Sequence, residues 1–306
     1  MTPKKQTVET PSGKGAGDEN FPVGSHLLPA RLRPHVARFY AFARAADDIA
    51  DHSGLAADEK IRRLDLFEDG LTGRGGAGAR GSDLAKAELI AISLEETGVT
   101  PRHCVDLLAA FKQDAVKNRY ADWDELMGYC ELSANPVGRY LLDLHGQARS
   151  GYPASDALCS ALQVLNHLQD IKDDYLNIDR VYLPADWMAA AGVSLEDLAG
   201  NAATPGLREM IDRCLDATDR LLDQADALPL VLDNWRLAME SAAIVRLARR
   251  LSAMLRARDP IAERVAFAKP QLVAHALIGA AGITIKRLFT SGRGRGALAA
   301  GPGTGK

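Results

Sequence analysis

Residues 35–51 read HVARFYAFARAADDIAD, and this stretch decides how the chain is built. Ala and aromatic residues fill nearly every side of it and nothing alternates with period two, so it reads as a helix buried around much of its circumference. Asp47 and Asp51 lie four apart on one face of that helix, Asp48 lies beside them, and Arg44 sits one turn earlier, in reach of Asp47. The pattern recurs at residues 166–174, NHLQDIKDD. There Asn166, Asp170 and Asp174 stack on one stripe, with Asp173 alongside, at the end of the apolar run LCSALQVLNHLQD.

Outward from these two segments, apolar residues keep helical spacing from about Phe21 to Phe289, and no β-branched run is flanked by hairpin turns. The fold class is all-α. Helices are predicted over 30–52, 57–70, 82–97, 101–117, 122–149, 155–177, 205–227, 232–257 and 270–289. GRGGAGARG, from Gly73 to Gly81, reads as a surface loop, and RVYLPADW after Asp179 is too irregular, with Pro184, to continue a helix. No linker or repeat divides the chain. It reads as one domain, 21–289, between a disordered tail at 1–20 and a flexible Gly-rich tail at 290–306.

The composition is that of a globular protein: 47% hydrophobic and 25% charged residues over 306 positions, with a net charge of -3. No long basic block advertises nucleic acid. Cys104, Cys130, Cys159 and Cys214 form neither a Cys-x-x-Cys pair nor a disulfide framework, so they read as core residues in a reducing compartment. The N-terminus carries no apolar secretory stretch, and the longest apolar run, Leu272 to Ile285, is too short to cross a bilayer. A cytoplasmic protein is expected, with peripheral contact at the inner membrane face open to the mildly basic C-terminal tail.

Taken singly, each acidic cluster reads as a solvated helix face. Taken together, with matched spacing and apolar surroundings, the two invite a shared cation, because desolvated carboxylates are almost never left without one. Mg²⁺ suits hard oxygen ligands, takes one or two carboxylates, keeps waters, and completes its shell with phosphate oxygens. Asn166 adds a neutral oxygen to the second row. Aspartates across a greasy helical cavity are what a diphosphate on a hydrocarbon chain needs. No Gly-rich dinucleotide fingerprint is visible, and no nicotinamide cofactor is expected.

The stretch from Phe21 to Asp51, the segment YCELSANPVG from Tyr129, and the second cluster with RVYLP resemble the squalene and phytoene synthases. These are Mg²⁺-dependent head-to-head prenyl synthases with an all-α isoprenoid synthase fold. The resemblance places the two Asp motifs, as metal ligands, on Asp47, Asp48 and Asp51 and on Asn166, Asp170 and Asp174. It matches Arg44 to the arginine before the first motif, Tyr40 to an aromatic one turn back, Tyr129 to a middle tyrosine, and Arg180 with Tyr182 to the RxYLP signature. It implies catalytic roles for Asp47, Asp51, Asp170, Asp174 and Tyr129, and substrate contacts at Phe21, Tyr40, Arg44, Asn166, Arg180 and Tyr182.

The departures narrow the family. DENF stands where condensing members carry a Ser-rich stretch, Ala134-Asn135-Pro136 where Ala-Gly is common, and Gln169 where an arginine often precedes the second motif. ENFPV, SANPVG and NHLQD look like the hydroxysqualene synthase branch of bacterial hopanoid biosynthesis. That branch converts presqualene diphosphate and water to hydroxysqualene and diphosphate, and association with neighbouring pathway enzymes is open to it. A condensing prenyl synthase shares the metal site, and an inactive helical scaffold stands as an alternative of another class. Arg44 reads equally as a helix ion pair. Tyr40, Phe42 and Tyr129 read as core or as cation-facing, His167 as packing, Asp173 as metal shell or solvated flank, and Lys172 as a weak diphosphate contact.

Overall fold

The computed structural model describes residues 28–74 and 84–296. The elements are α1 (Arg33–Ala50), α2 (Ala57–Thr72), α3 (Ala85–Thr97), α4 (Arg102–Asp114), β1 (Arg119–Tyr120), α5 (Trp123–Ser133), α6 (Asn135–Leu144), α7 (Tyr152–Gln169), α8 (Ile171–Ile178), β2 (Val181–Pro184), α9 (Ala185–Ala190), α10 (Leu195–Leu198), α11 (Pro205–Ala225), α12 (Leu228–Val231), α13 (Trp235–Ala257) and α14 (Lys269–Gly296). Helix ends follow local chemistry. Gly73 and Gly98 adopt the left-handed conformation, both at φ 70°, that closes α2 and α3. Asp122 accepts a hydrogen bond from the Glu125 N–H at 2.8 Å to open α5, and Asn234 caps α13 in the same way.

Two breaks were not foreseen. The predicted helix over 122–149 is two, divided at Ala134, because Pro136 in the first turn of α6 cannot continue the preceding hydrogen-bond ladder. The helix over 155–177 divides at Asp170, whose φ of -107° and ψ of 14° lie off the helical values. Across that kink the four-residue bonding persists, from Asp170 N–H to Asn166 O at 3.0 Å and from Asp174 N–H to Asp170 O at 2.8 Å, so the acidic stripe survives. The chain also holds a short parallel pairing of β1 with β2, Arg119 opposite Val181. Its pattern is too short to read in sequence. α14 continues to Gly296, past the boundary set at 289, while Phe21, the tail 1–20 and most of the 73–81 loop lie outside the described residues.

Two apolar cores meet at a seam. One gathers α1 to α4 with Tyr140 of α6; Phe42 and Phe67 are its largest fully buried members after Tyr140. The other gathers α5, α7, α11 and α13 around Leu165, Leu215 and Leu251. α6 joins them: Tyr140 stacks on Phe39 at 3.9 Å between ring centres and donates its hydroxyl to the His35 carbonyl at 3.1 Å. The α6–α7 contact depends on Gly138, where an added Cβ would stand 2.3 Å from Ser155 Oγ and 2.7 Å from Cys159 Sγ. Gly138→Ala is therefore expected to cost about 1–3 kcal/mol by overpacking, as read from the denaturant midpoint. The four cysteines are free, with Cys104, Cys130 and Cys214 buried, as expected of core residues.

Candidate active site

The aspartates of α1 and the α7–α8 stripe face each other across the seam. Asp47, Asp51, Asn166, Asp170 and Asp174 line one chamber of about 250 Å³, together with Tyr129, Arg180 and Tyr182. A second chamber, of about 350 Å³, is walled mainly by apolar side chains of α1, α6, α7 and α13, among them Phe39, Tyr40, Leu141, Leu158 and Ile244. Ser133, Gln163 and Asn166 line both, so the acidic chamber opens through a polar waist onto the apolar one.

The acidic chamber is short of positive charge. Desolvation and the neighbouring Asp51 push the Asp47 carboxyl up to about 8 against the pull of Arg44. Desolvation, then Asp170 and Asp51, push Asp174 up to about 8 as well. Arg180 is the cation built into the wall: its Nη1 donates to Asp51 at 2.8 Å and to the Tyr182 hydroxyl at 3.2 Å. The β1–β2 pairing sets it in place. Val181 N–H bonds to the Asn118 carbonyl at 2.9 Å, and Asp179 turns the chain through a left-handed φ of 51° that an Asp tolerates. Arg119 holds Asp179 from the other strand at 2.5 Å.

Asp114, at the end of α4, is a site carboxylate that the sequence reading passed over. It is 5% exposed, lines the acidic chamber, accepts the Tyr129 hydroxyl at 2.8 Å, and takes a longer bond from Tyr182 at 3.4 Å. Burial pushes it up to about 6, with Arg180 and Tyr129 pulling the other way. The signal was present: Asp114 continues the apolar stripe of Leu107 and Phe111, where a charge has no reason to be unless it is used. Ser133 and Gln163 were also missed, and Gln163 stands one turn before Asn166.

The readings of Asp48 and Lys172 are corrected, the alternatives open for Arg44, Phe42 and Asp173 are decided, and His167 is the packing residue expected. Asp48 is not among the chamber-lining residues; its carboxylate turns to Arg44, whose Nη2 donates at 2.8 Å, while Arg44 Nη1 meets Asp47 at 3.0 Å. Arg44 is thus an ion-pair partner of both. Its helical position puts Asp48 off the Asp47–Asp51 row, and the half-buried guanidinium takes it. Phe42 is fully buried against Phe67 and belongs to the core. Lys172 donates to the Gly200 carbonyl at 2.7 Å, outside the chamber, and Asp173 is an exposed flank. His167 stacks on Tyr182 at 3.5 Å; burial, then Arg180, pull it down to about 3, so it is neutral packing. Gln169, which stands where an arginine often precedes the second motif, donates to the Val265 carbonyl at 2.5 Å and is not among the chamber-lining residues.

An acidic chamber joined to a greasy one in an all-helical fold is the geometry that characterises this site. The chain belongs to the squalene/phytoene synthase family, whose sequence profile matches residues 15–271. It is 41% identical to a hydroxysqualene synthase of Sinorhizobium fredii over 90% of this chain and 92% of that one. It is 45% identical to a hydroxysqualene synthase of Rhodopseudomonas palustris over 84% and 86%. Among solved structures it resembles squalene synthase HpnC from Alicyclobacillus acidocaldarius, with a TM-score of 0.67 and 31% identity over 77% of this chain and 87% of that one.

Proposed function

We propose that the protein is a hydroxysqualene synthase that converts presqualene diphosphate and water to hydroxysqualene and diphosphate. The observation that carries this is the waist at Ser133, Gln163 and Asn166: it lets one molecule place a diphosphate among the aspartates and its hydrocarbon in the apolar chamber. The similarity to two hydroxysqualene synthases supports the choice within the family.

The donor set fits Mg²⁺. The carboxylates of Asp47, Asp51, Asp170 and Asp174 and the amide oxygen of Asn166 are hard ligands, and the raised Asp47 and Asp174 mark a deficit of cation. Among the described residues no group of three or more His, Cys, Asp or Glu side chains is placed to hold an ion by itself. Bound there, Mg²⁺ would neutralise the leaving diphosphate. Arg180 adds a fixed positive charge on the chamber wall, held by Asp51 and Tyr182, and needs no reorganisation as the leaving group develops charge. Tyr129 is oriented by Asp114, and Tyr40 supplies an aromatic wall to the chamber for the hydrocarbon. The domain is proposed to begin near residue 21 and to run through α14. No described helix is long and apolar enough to cross a membrane.

Incubation with presqualene diphosphate and Mg²⁺ in ¹⁸O-labelled water is expected to give hydroxysqualene carrying the label, without any nicotinamide. Farnesyl diphosphate alone is expected to give little product. Rapid formation of presqualene diphosphate or phytoene from simple prenyl diphosphates would instead make the protein a condensing synthase.

A further inference from the structure

The apolar chamber contains a carboxylate that diphosphate chemistry does not call for. Glu240 of α13 is 7% exposed and lines the chamber walled by Phe39, Tyr40 and Ile244. Glutamate is rarely buried in an apolar wall unless it is paired or hydrogen-bonded, and here the side chain lies among the groups that line the hydrocarbon chamber. A second observation lies at the waist of the same chamber. The Ser133 hydroxyl oxygen is buried and has no hydrogen-bond partner among the described residues. Buried hydroxyls without protein partners are where water is held. By contrast, the neighbouring Ser241 hydroxyl is already committed to the Leu237 carbonyl at 2.8 Å.

Resting on the reaction proposed above, we propose that Glu240, with Ser133, holds the water that ends the reaction, and that Glu240 takes its proton. The carbon–oxygen bond to diphosphate breaks with both electrons leaving on diphosphate. After rearrangement, a lone pair of the water oxygen forms the new carbon–oxygen bond at the cationic carbon. One water proton passes to the Glu240 carboxylate, which leaves a neutral alcohol and a neutral carboxylic acid that later returns the proton to solvent. No electrons are gained or lost overall. The position is apt for electrostatic reasons too: in a chamber of low dielectric, a carboxylate attracts the cation strongly and keeps a nucleophile beside it. Without that water the cation's remaining course is loss of a proton to give a hydrocarbon.

The test separates ionisation from capture by measuring diphosphate released and alcohol formed in the same reaction, a ratio independent of how much enzyme is folded. Glu240→Gln keeps the shape and can still bind water but cannot take a proton. It is expected to release diphosphate within about threefold of the parent rate while alcohol per diphosphate falls at least tenfold, with deprotonated hydrocarbon replacing it. Glu240→Asp should recover part of the alcohol fraction, and Ser133→Ala should lower it severalfold. An unchanged alcohol fraction in an active Glu240→Gln enzyme would overturn the role of Glu240 and leave the proposed reaction standing. Folded Glu240→Gln protein, by circular dichroism, that releases no diphosphate would also overturn it, since Glu240 would then act before capture. Parent enzyme that releases no diphosphate from presqualene diphosphate would overturn the proposed reaction, and this role with it.

Discussion

Asp174→Asn is expected to lower turnover of presqualene diphosphate by about a hundredfold or more while the protein melts at the same temperature or higher. The two effects have one cause. Asp174 stands in a desolvated chamber beside Asp170 and Asp51, and the crowding that pushes its carboxyl up to about 8 is strain in the folded state without a cation. The amide removes that repulsion and also removes a ligand oxygen. Asp47→Asn should behave alike, for Asp47 is raised by desolvation and by Asp51. The pH dependence follows in sign. A carboxyl whose folded value is raised from 3.8 to about 8 makes the folded state bind more protons than the unfolded one between those values, so metal-free stability falls as pH rises through that window. Thermal melts should show the metal-free parent losing a few degrees between pH 5 and pH 8, the loss shrinking in Asp174→Asn. Mg²⁺ with inorganic diphosphate should restore it in the parent alone. Undiminished turnover in both Asn variants would remove the metal site from the mechanism.

Arg180→Met should be the most destabilising single change in the site, at about 3 kcal/mol near neutral pH. Arg180 is 5% exposed and is the cation that faces both Asp51 and the buried Asp114. Methionine replaces its volume and leaves Asp114 desolvated, hydrogen-bonded to the Tyr129 and Tyr182 hydroxyls but without its guanidinium partner. Because Asp114 already sits at about 6 with Arg180 present, losing the guanidinium raises it further, so lowering the pH neutralises it and shrinks the deficit. Urea midpoints for parent and variant at pH 5.5 and 7.5 measure this directly. A deficit that is the same at both values would mean that Arg180 is held by packing rather than by charge. Asp114→Asn in the Arg180→Met background should recover part of the lost stability, the two residues being coupled.

The helical class, the two acidic rows and the apolar setting of each were legible along the chain, because side-chain spacing along a helix is local and a buried carboxylate is conspicuous wherever it falls. Asn166, Asp170 and Asp174 were legible as one stripe, and remain one through the kink at Asp170, since the four-residue bonding continues across it. What the tertiary structure decided is which residues meet. The direction in which Asp48 turns depends on a three-way competition among Arg44, Asp47 and the chamber, and only packed coordinates settle it. Asp114 comes from α4, Arg180 from a two-strand pairing too short to carry a pattern, and Glu240 from α13, far along the chain from the Asp rows. The waist at Ser133, Gln163 and Asn166, which joins the two chambers, comes from α5 crossing α7 behind the break at Ala134. Spacing within a helix is written in the sequence. The convergence of separate helices on one cavity is fixed by how their apolar faces pack, a many-body fit to which every buried side chain contributes and which no single segment contains.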